Sequence, residues 1–302
     1  MLSFHFVILC LLDLLFLLLS RTICGKLKGV MYSKKYSCSP DLQPYVKKFW
    51  TKEKEAFEDV GTTYRFTPDG YVEFLFYLHE RAVYHFPMHQ DGMEYEALVI
   101  GQFTRHVDFT LPANMKALMV KIYPWATAAF FGVPASEMTD RVVNLYDLFP
   151  QEKSFIQNEV LGAGNIYQAI YKVEQFLRRI IRPERLDKHL SGLIKFVFEQ
   201  QGMLKMEELL DLSNHSQRHL NTLFRQSLGL SPKFFSGVRR IYSVAHAIRS
   251  NPNKPLTEIC YEFDYFDQAH FIRDFKKFTF NTPSQFKKRI RPNGALLNLR
   301  VR

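Results

Sequence analysis

Two kinds of periodicity divide this chain. Between Tyr64 and Tyr123 the apolar residues fall in short runs: TYRFTP, YVEFLFYL, AVYHF, EALVIGQF, HVDFTL and KALMVKIYP. The runs are rich in aromatic and β-branched residues and are punctuated by Pro68-Asp69-Gly70, Asp91-Gly92 and Leu111-Pro112-Ala113. That pattern predicts six or more strands in a small antiparallel barrel or sandwich. Helical spacing follows. Ala126–Phe131 reads as a short helix, and Ser136–Leu148 as another, with Ser136 as its cap and Val142, Val143, Leu145 and Leu148 as its stripe. A longer helix is predicted over Ile166–Ile181, with Ile170, Val173, Phe176, Leu177 and Ile180 on one side. Arg182-Pro183 ends it and places a linker there, dividing the chain's 302 residues into two domains.

In the last third the apolar residues recur three and four apart. Met206–Leu212 is predicted as a short helix with Leu209, Leu210 and Leu212 facing in. Ser213-Asn214-His215 makes a turn, and Ser216 caps a second helix. Leu220, Leu223 and Phe224 are spaced for its core, which leaves Gln217, Arg218, Asn221, Thr222 and Arg225 outward. The plan then repeats. Leu256, Ile259 and Phe263 pack a supporting helix that begins near Thr257, and Asp267 caps a helix over Gln268–Phe278. Phe271, Phe275 and Phe278 form the buried stripe of that helix, and Gln268, Ala269, Ile272 and Arg273 lie outward. Between the hairpins, Pro232 starts a helix that runs from Lys233 to about Arg249, with Ile241, Val244, Ala245 and Ile248 inward and Asn251-Pro252-Asn253 as its stop. At 1.5 Å per residue it spans roughly 25 Å. These are two helix-turn-helix units, each offering its second helix to a DNA major groove.

Charge follows the same division. The chain carries 40 Lys+Arg against 30 Asp+Glu, but residues 184–302 alone hold 20 against 11. A polyanion is the partner implied by that sign and place, and double-stranded DNA is the expected one. The outward side chains have the matching chemistry: arginine for guanine, asparagine or glutamine for adenine, threonine for a methyl or a phosphate. In the second unit Gln268 and Arg273 are the expected direct readers. Arg225, Arg239, Arg240, His270 and Lys276 are expected on the phosphate backbone.

The segment from about Lys188 to Arg291 resembles the DNA-binding domain of the AraC/XylS family of bacterial transcription regulators. The residues that carry the resemblance are SQRHLNTLFRQSLGLSPKFF at Ser216–Phe235, FDQAHFIRDFKKF at Phe266–Phe278 and TPSQF at Thr282–Phe286. The resemblance implies a seven-helix domain whose long central helix holds both units on one face of the duplex. It maps base-facing positions onto Arg218, Asn221 and Thr222, the last standing where the family often has arginine. Two further departures are Asp264 and Phe280, each where the family usually or often has glycine. Asp264 is among the few residue types that tolerate a left-handed backbone. PDGYVEFLF at Pro68–Phe76, GQFTR at Gly101–Arg105 and PWATAAFFGV at Pro124–Val133 resemble the β-rich sensor domain that precedes many AraC-type domains. Such domains bind a small-molecule effector or form a homodimer, and the barrel interior would be the pocket. In that family activation, with RNA polymerase as partner, is the commoner mode. The expected fold class is therefore α+β: a β-rich, cupin-like barrel or sandwich over residues 31–182, an all-α tandem helix-turn-helix domain over 183–291, and a basic tail over 292–302.

Residues 1–30 fit this plan poorly. Leu2 to Leu19 is nearly continuous apolar sequence, interrupted by Asp13 and followed by Arg21, Lys26 and Lys28. Three readings stay open: translation starting at Met31, a membrane anchor that leaves the rest cytoplasmic by the positive-inside rule, or a cleaved signal. A cytoplasmic regulator is the expectation, an inner-membrane-anchored one the alternative. Cys10, Cys24, Cys38 and Cys260 form no C-x-x-C pair and have no histidines at zinc-finger spacing, so neither a disulfide framework nor a zinc site is expected. His79, His85, His89 and His106, with Glu94 and Glu96 close by, raise a cupin-type metal site, but their spacing is not the H-x-H followed by Glu of such sites. No metal, cofactor or catalytic residue is expected. The alternative is a cupin-like small-molecule-binding protein or metal-dependent enzyme with a helical appendage.

Overall fold

The computed structural model describes residues 30–55, 62–66, 68–85, 94–104, 107–112 and 114–290. Nine strands fill the amino-terminal half of these: β1 (Val30–Tyr36), β2 (Val46–Glu55), β3 (Thr62–Phe66), β4 (Val72–Tyr77), β5 (Val83–His85), β6 (Ala97–Ile100), β7 (Val107–Leu111), β8 (Met115–Ile122) and β9 (Val142–Asn144). They form a six-stranded sheet in the order β1-β2-β8-β4-β6-β9 and a three-stranded sheet in the order β3-β7-β5. All pairings are antiparallel. Among the described residues the strands thus form two sheets.

Strand β4 is buried along its whole length because both faces of the large sheet are covered. Alternation sends Val72, Phe74 and Phe76 to one core, together with Phe49, Val99, Leu118 and Val120. Leu75, Tyr77, Leu98, Ile100, Ala117 and Met119 go to the other. The first core is closed by α1 (Ile166–Ile180), which Asn165 caps by accepting from the Tyr167 and Gln168 amides. Phe176 of α1 meets Phe74, Phe76 and Phe149 edge-on, with ring centroids 5.8–6.1 Å apart. Ile170, Val173, Leu177 and Ile180 are buried beside it, as the spacing predicts.

Strands β1 and β2 are not among the runs singled out by pattern. In β2 the register slips between Val46 and Lys48, so that Val46 and Phe49 are both buried although an odd number of residues apart. A bulge of this kind defeats a period of two. The helix expected over Ser136–Leu148 is also absent as a unit. Ala135–Met138 is a 3-10 turn without a side-chain cap, Val142–Asn144 is strand β9 paired with β6, and only Leu145–Leu148 is helical. Residues 142, 143, 145 and 148 imitate a helical stripe, but a neighbouring strand edge takes the first two.

Among its described residues the carboxy-terminal half has seven α-helices: α2 (Lys188–Glu199), α3 (Met206–Ser213), α4 (Gln217–Leu228), α5 (Pro232–Ser250), α6 (Leu256–Glu262), α7 (Gln268–Thr279) and α8 (Pro283–Lys288). Asp187, Ser216, Ser231, Asp267 and Thr282 cap α2, α4, α5, α7 and α8 through their side chains. The junction between the halves is short and docked. Arg182 N donates to the Ala129 carbonyl at 2.7 Å, Ser191 Oγ to Trp125 O at 3.1 Å and Thr139 Oγ1 to Gly229 O at 2.8 Å. Gly229 ends α4 with φ +89°, and a Cβ there would lie 2.6 Å from Thr139 Oγ1, so both backbone and interface require glycine.

Candidate nucleic-acid interface

In the first unit Leu209, Leu220, Phe224 and Leu228 are buried and fix the angle between α3 and α4. Leu212, expected inward, is 48 % exposed, because Ser213 instead turns into the core and donates to the Leu210 carbonyl. Asn214 takes the left-handed conformation at φ +54°, which turns the chain sharply into α4. Ser216 then accepts from the His219 amide at 3.3 Å. Gln217, Arg218, Asn221, Thr222 and Arg225 line one shallow groove along the outer face of α4. Thr222 Oγ1 donates to the Arg218 carbonyl at 3.2 Å, so its hydroxyl proton is used within the helix and its lone pairs remain to accept.

The second unit has the same build. Ile259 and Phe263 are buried, Leu256 partly so, and Asp264 is left-handed at φ +56°. Helix α6 begins at Leu256, next to Thr257, with Pro255 in the cap position. Asp267 Oδ1 accepts from the His270 amide at 2.6 Å, and Phe271, Phe275 and Phe278 are buried beneath α7. Gln268, Ala269, Ile272, Arg273 and Lys276 are exposed on its outer side. The His270 ring lies against Tyr265 and 3.4 Å from Asp274, at the edge of that face. Phe280 ends α7 at φ +61°, in the place where glycine is expected.

Helix α5 joins the units. Its 19 residues correspond to about 28 Å of length. Ile241, Val244, Ala245 and Ile248 are buried along it. The phosphate-contact expectation fails for Arg239, which is buried. Arg239 is 5 % exposed: its Nη1 donates to the Asp69 carbonyl of the amino-terminal half at 2.7 Å, and its guanidinium lies 3.6 Å over the Phe198 ring. Arg240 donates through Nε and Nη2 to the Gly202 carbonyl and lies over Tyr265. Arg239 is thus committed to an internal contact, whereas Arg240 stays half-exposed. Arg225 and Lys276 remain exposed.

Residues 209–289 match the family described as a helix-turn-helix domain. The carboxy-terminal half is a domain of the AraC type. Residues 34–144 match a domain family of unknown function, DUF6597. Among curated proteins the chain is similar to an uncharacterized HTH-type transcriptional regulator of Haemophilus influenzae, 28% identical over 118 residues, and to the Msm operon regulatory protein of Streptococcus mutans, 26% identical over 159 residues. The matches cover 39% and 48% of this chain but only 38% and 57% of those proteins. Among solved structures, apo ToxT of Vibrio cholerae overlaps 87% of this chain and 98% of its own, with 9% identity and a TM-score of 0.45.

Against the AraC-type domain the amino-terminal half presents a cavity of about 340 Å³. The face of the large sheet that α1 leaves uncovered forms its floor, with Leu75, Ile100 and Met119, while Tyr242 and Arg249 of α5 contribute to its wall. At its charged end Lys121 Nζ donates to Asp69 and to Glu73 Oε1, the latter at 3.0 Å. Burial works against the ammonium, but the two carboxylates outweigh it and hold Lys121 protonated well above the ordinary lysine range. Asp69 also accepts from the Tyr71 amide, and its carbonyl receives Arg239. One short segment therefore touches both the cavity and the central helix of the AraC-type domain. This cluster was not anticipated. Its signal was a lone glutamate and a lone lysine inside strands that are otherwise apolar, Glu73 and Lys121, which the register places opposite each other.

Most of the histidine side chains lie outside what the structure describes. His79 is exposed, the side chain of His85 is not described, and His89 and His106 lie outside the described residues. Glu96 accepts from Arg81, Tyr146 and Gln157, and Glu94 is exposed. Residues 1–29, with the readings offered for them, and the tail from 291 also lie outside the described residues. Among the described residues no helix is long and apolar enough to cross a membrane.

Proposed function

We propose that this chain is a sequence-specific DNA-binding transcription regulator that reads two successive major-groove segments. The observation that carries the reading is the pair of side-chain-capped helices, α4 and α7, that precede and follow one 19-residue helix in the basic third of the chain. In the first groove Gln217, Arg218, Asn221 and Thr222 meet base edges, and Arg225 meets a phosphate. In the second, Gln268 and Arg273 read bases, Ala269 and Ile272 make apolar contact, and His270 and Lys276 lie nearer the backbone. Arg240 lies near the backbone as well, and Arg239 takes no part. The amino-terminal domain holds a small-molecule effector in its cavity, dimerises, or does both, and RNA polymerase is the further partner if the regulator activates. The working compartment is the cytoplasm, with tethering to the membrane if residues 1–30 form an anchor.

Selection of genomic fragments by the full-length protein at physiological salt tests this. The expected result is one motif with two short blocks about one helical turn apart, near 10 bp. Recovery of no motif, with binding that vanishes as salt rises, would leave only nonspecific attraction to the phosphates and sink the proposal.

A further inference from the structure

The helices α4 and α7 share one frame and carry opposite chemistry. Both are 12 residues long and follow a side-chain cap, Ser216 for α4 and Asp267 for α7. In the first unit the position before the cap and the second and fifth positions after it hold His215, Arg218 and Asn221. The same positions in the second unit hold Phe266, Ala269 and Ile272. The first set is polar throughout, the second is apolar throughout, and all three members of the second are exposed. Phe266 is the extreme case, at 90 % exposure. Its backbone is nevertheless fixed on both sides. Tyr265 is buried against Phe271, with ring centroids 5.2 Å apart, and the Asp267 carboxylate accepts from the His270 amide. Exposed apolar side chains scattered singly are ordinary, but these three fall at matched positions on the face that meets the groove.

We infer that the second unit recognises the C5-methyl groups of thymines, with Phe266 as a specificity-determining residue beside Ala269 and Ile272. The block of DNA under α7 is therefore thymine-bearing. In the major groove the thymine methyl is the apolar landmark of a base edge, and apolar side chains are what select it. A recognition helix presents its N-terminal residues to base edges, and Phe266 and Ala269 stand at that end of α7. Ile272 lies three residues beyond Ala269, one turn along the same outer side. Charge favours DNA over an apolar groove on a protein as the occupant. Arg273 and Lys276 are exposed on the same face, so whatever covers the apolar side chains must also meet cations beside them. A duplex does both, with methyls in the groove and phosphates along its rim. The first unit, with arginine and asparagine at the matched positions, suits guanine and adenine edges instead. The two blocks of the site are thus chemically unlike.

This inference rests on reading the chain as a sequence-specific DNA-binding regulator. Its test uses the full-length protein and the site that genomic selection recovers. Each thymine of both blocks is replaced in turn by uracil, which removes the methyl and leaves every hydrogen-bonding edge of the base intact. Loss of one buried methyl should weaken binding about 3- to 5-fold. Phe266→Ala should weaken binding to the thymine site by at least as much and abolish the uracil penalty at one position. Ile272→Ala should do the same at a neighbouring position. The urea midpoint of Phe266→Ala should equal the parent's, because the ring lies in solvent. A site without uracil penalties, or penalties that persist in both variants, would overturn the inference. Parent-like DNA binding by Phe266→Ala, with transcription by purified RNA polymerase lost, would assign the ring to a protein contact and overturn it too. A motif recovered without uracil penalties removes only the methyl contact, whereas failure to recover any motif removes the regulator and the contact with it.

Discussion

Truncating Arg239 to alanine should loosen the two domains from each other and leave the salt dependence of DNA binding unchanged. Its guanidinium is buried, with one donor on the Asp69 carbonyl at 2.7 Å and its face 3.6 Å from the Phe198 ring. A hydrogen bond from a charged donor contributes about 1.5–3 kcal/mol, and a desolvated cation–π contact up to about 2. Part of this is offset, since the truncated protein no longer holds a cation out of water, and Arg239 Nε has no partner in any case. A net loss of about 2–3 kcal/mol remains, concentrated at the interface. In urea, far-UV circular dichroism reports both halves, while the emission of Trp125, stacked on Tyr123 at the junction, reports the contact between them. The variant should show an early transition in emission that separates from the main loss of helix. In parallel, the slope of log K against log salt should equal that of the parent. A slope smaller by about one, with unaltered unfolding, would mean that Arg239 meets a phosphate after all, and the domain arrangement would be wrong.

Arg218→Ala and Arg273→Ala should each lose about 1–3 kcal/mol of binding and relax selectivity at one base position, whereas Arg225→Ala and Lys276→Ala should weaken all sequences alike and lower the salt slope by about one. Competition among single-base variants of the selected site separates these outcomes. Ser216→Ala and Asp267→Ala remove the caps of α4 and α7 and should each lower stability by about 1 kcal/mol in urea, and unchanged midpoints would refute the capping geometry. Hydrogen bonds from Gln157 and Tyr146, with Arg81 alongside, hold the Glu96 carboxyl below its ordinary pKa of 4.5. Its stabilisation is therefore complete above that value and is lost as pH falls through the lower folded-state pKa. Glu96→Gln should melt earlier than the parent at neutral pH and converge with it in strong acid, so an equal deficit at both ends would show that the carboxylate charge is irrelevant.

The helix-turn-helix units were legible because the interactions that define them are local. A cap reaches three residues along the chain, as Ser216 does to His219 and Asp267 to His270, and a buried stripe repeats every three or four. Leu212 was misplaced for a reason one turn away, where the Ser213 hydroxyl folds back on the Leu210 carbonyl. Strand signals are legible where a short apolar, aromatic-rich run is bounded by turn residues, as in β4, and fail where a bulge shifts the phase, as in β2. Strand β9 reads as helix in sequence because three residues cannot show a period, and only the edge of β6 makes them a strand.

What the sequence determined by itself is the order of elements in the AraC-type domain, the caps and left-handed turns that bound them, and the outward side chains of α4 and α7. What the tertiary structure decided is the fate of residues whose partners are remote. An arginine in the middle of a helix looks the same in sequence whether it faces water, a phosphate or another domain; Arg239 and Asp69 are 170 residues apart, and only docking of the two halves made them partners. The same holds for the cavity. Lone charges in apolar strands announce that something must compensate them, because an unpaired buried charge is too costly to keep. Which strands come side by side to supply the compensation is a matter of register, and register is fixed by the whole sheet.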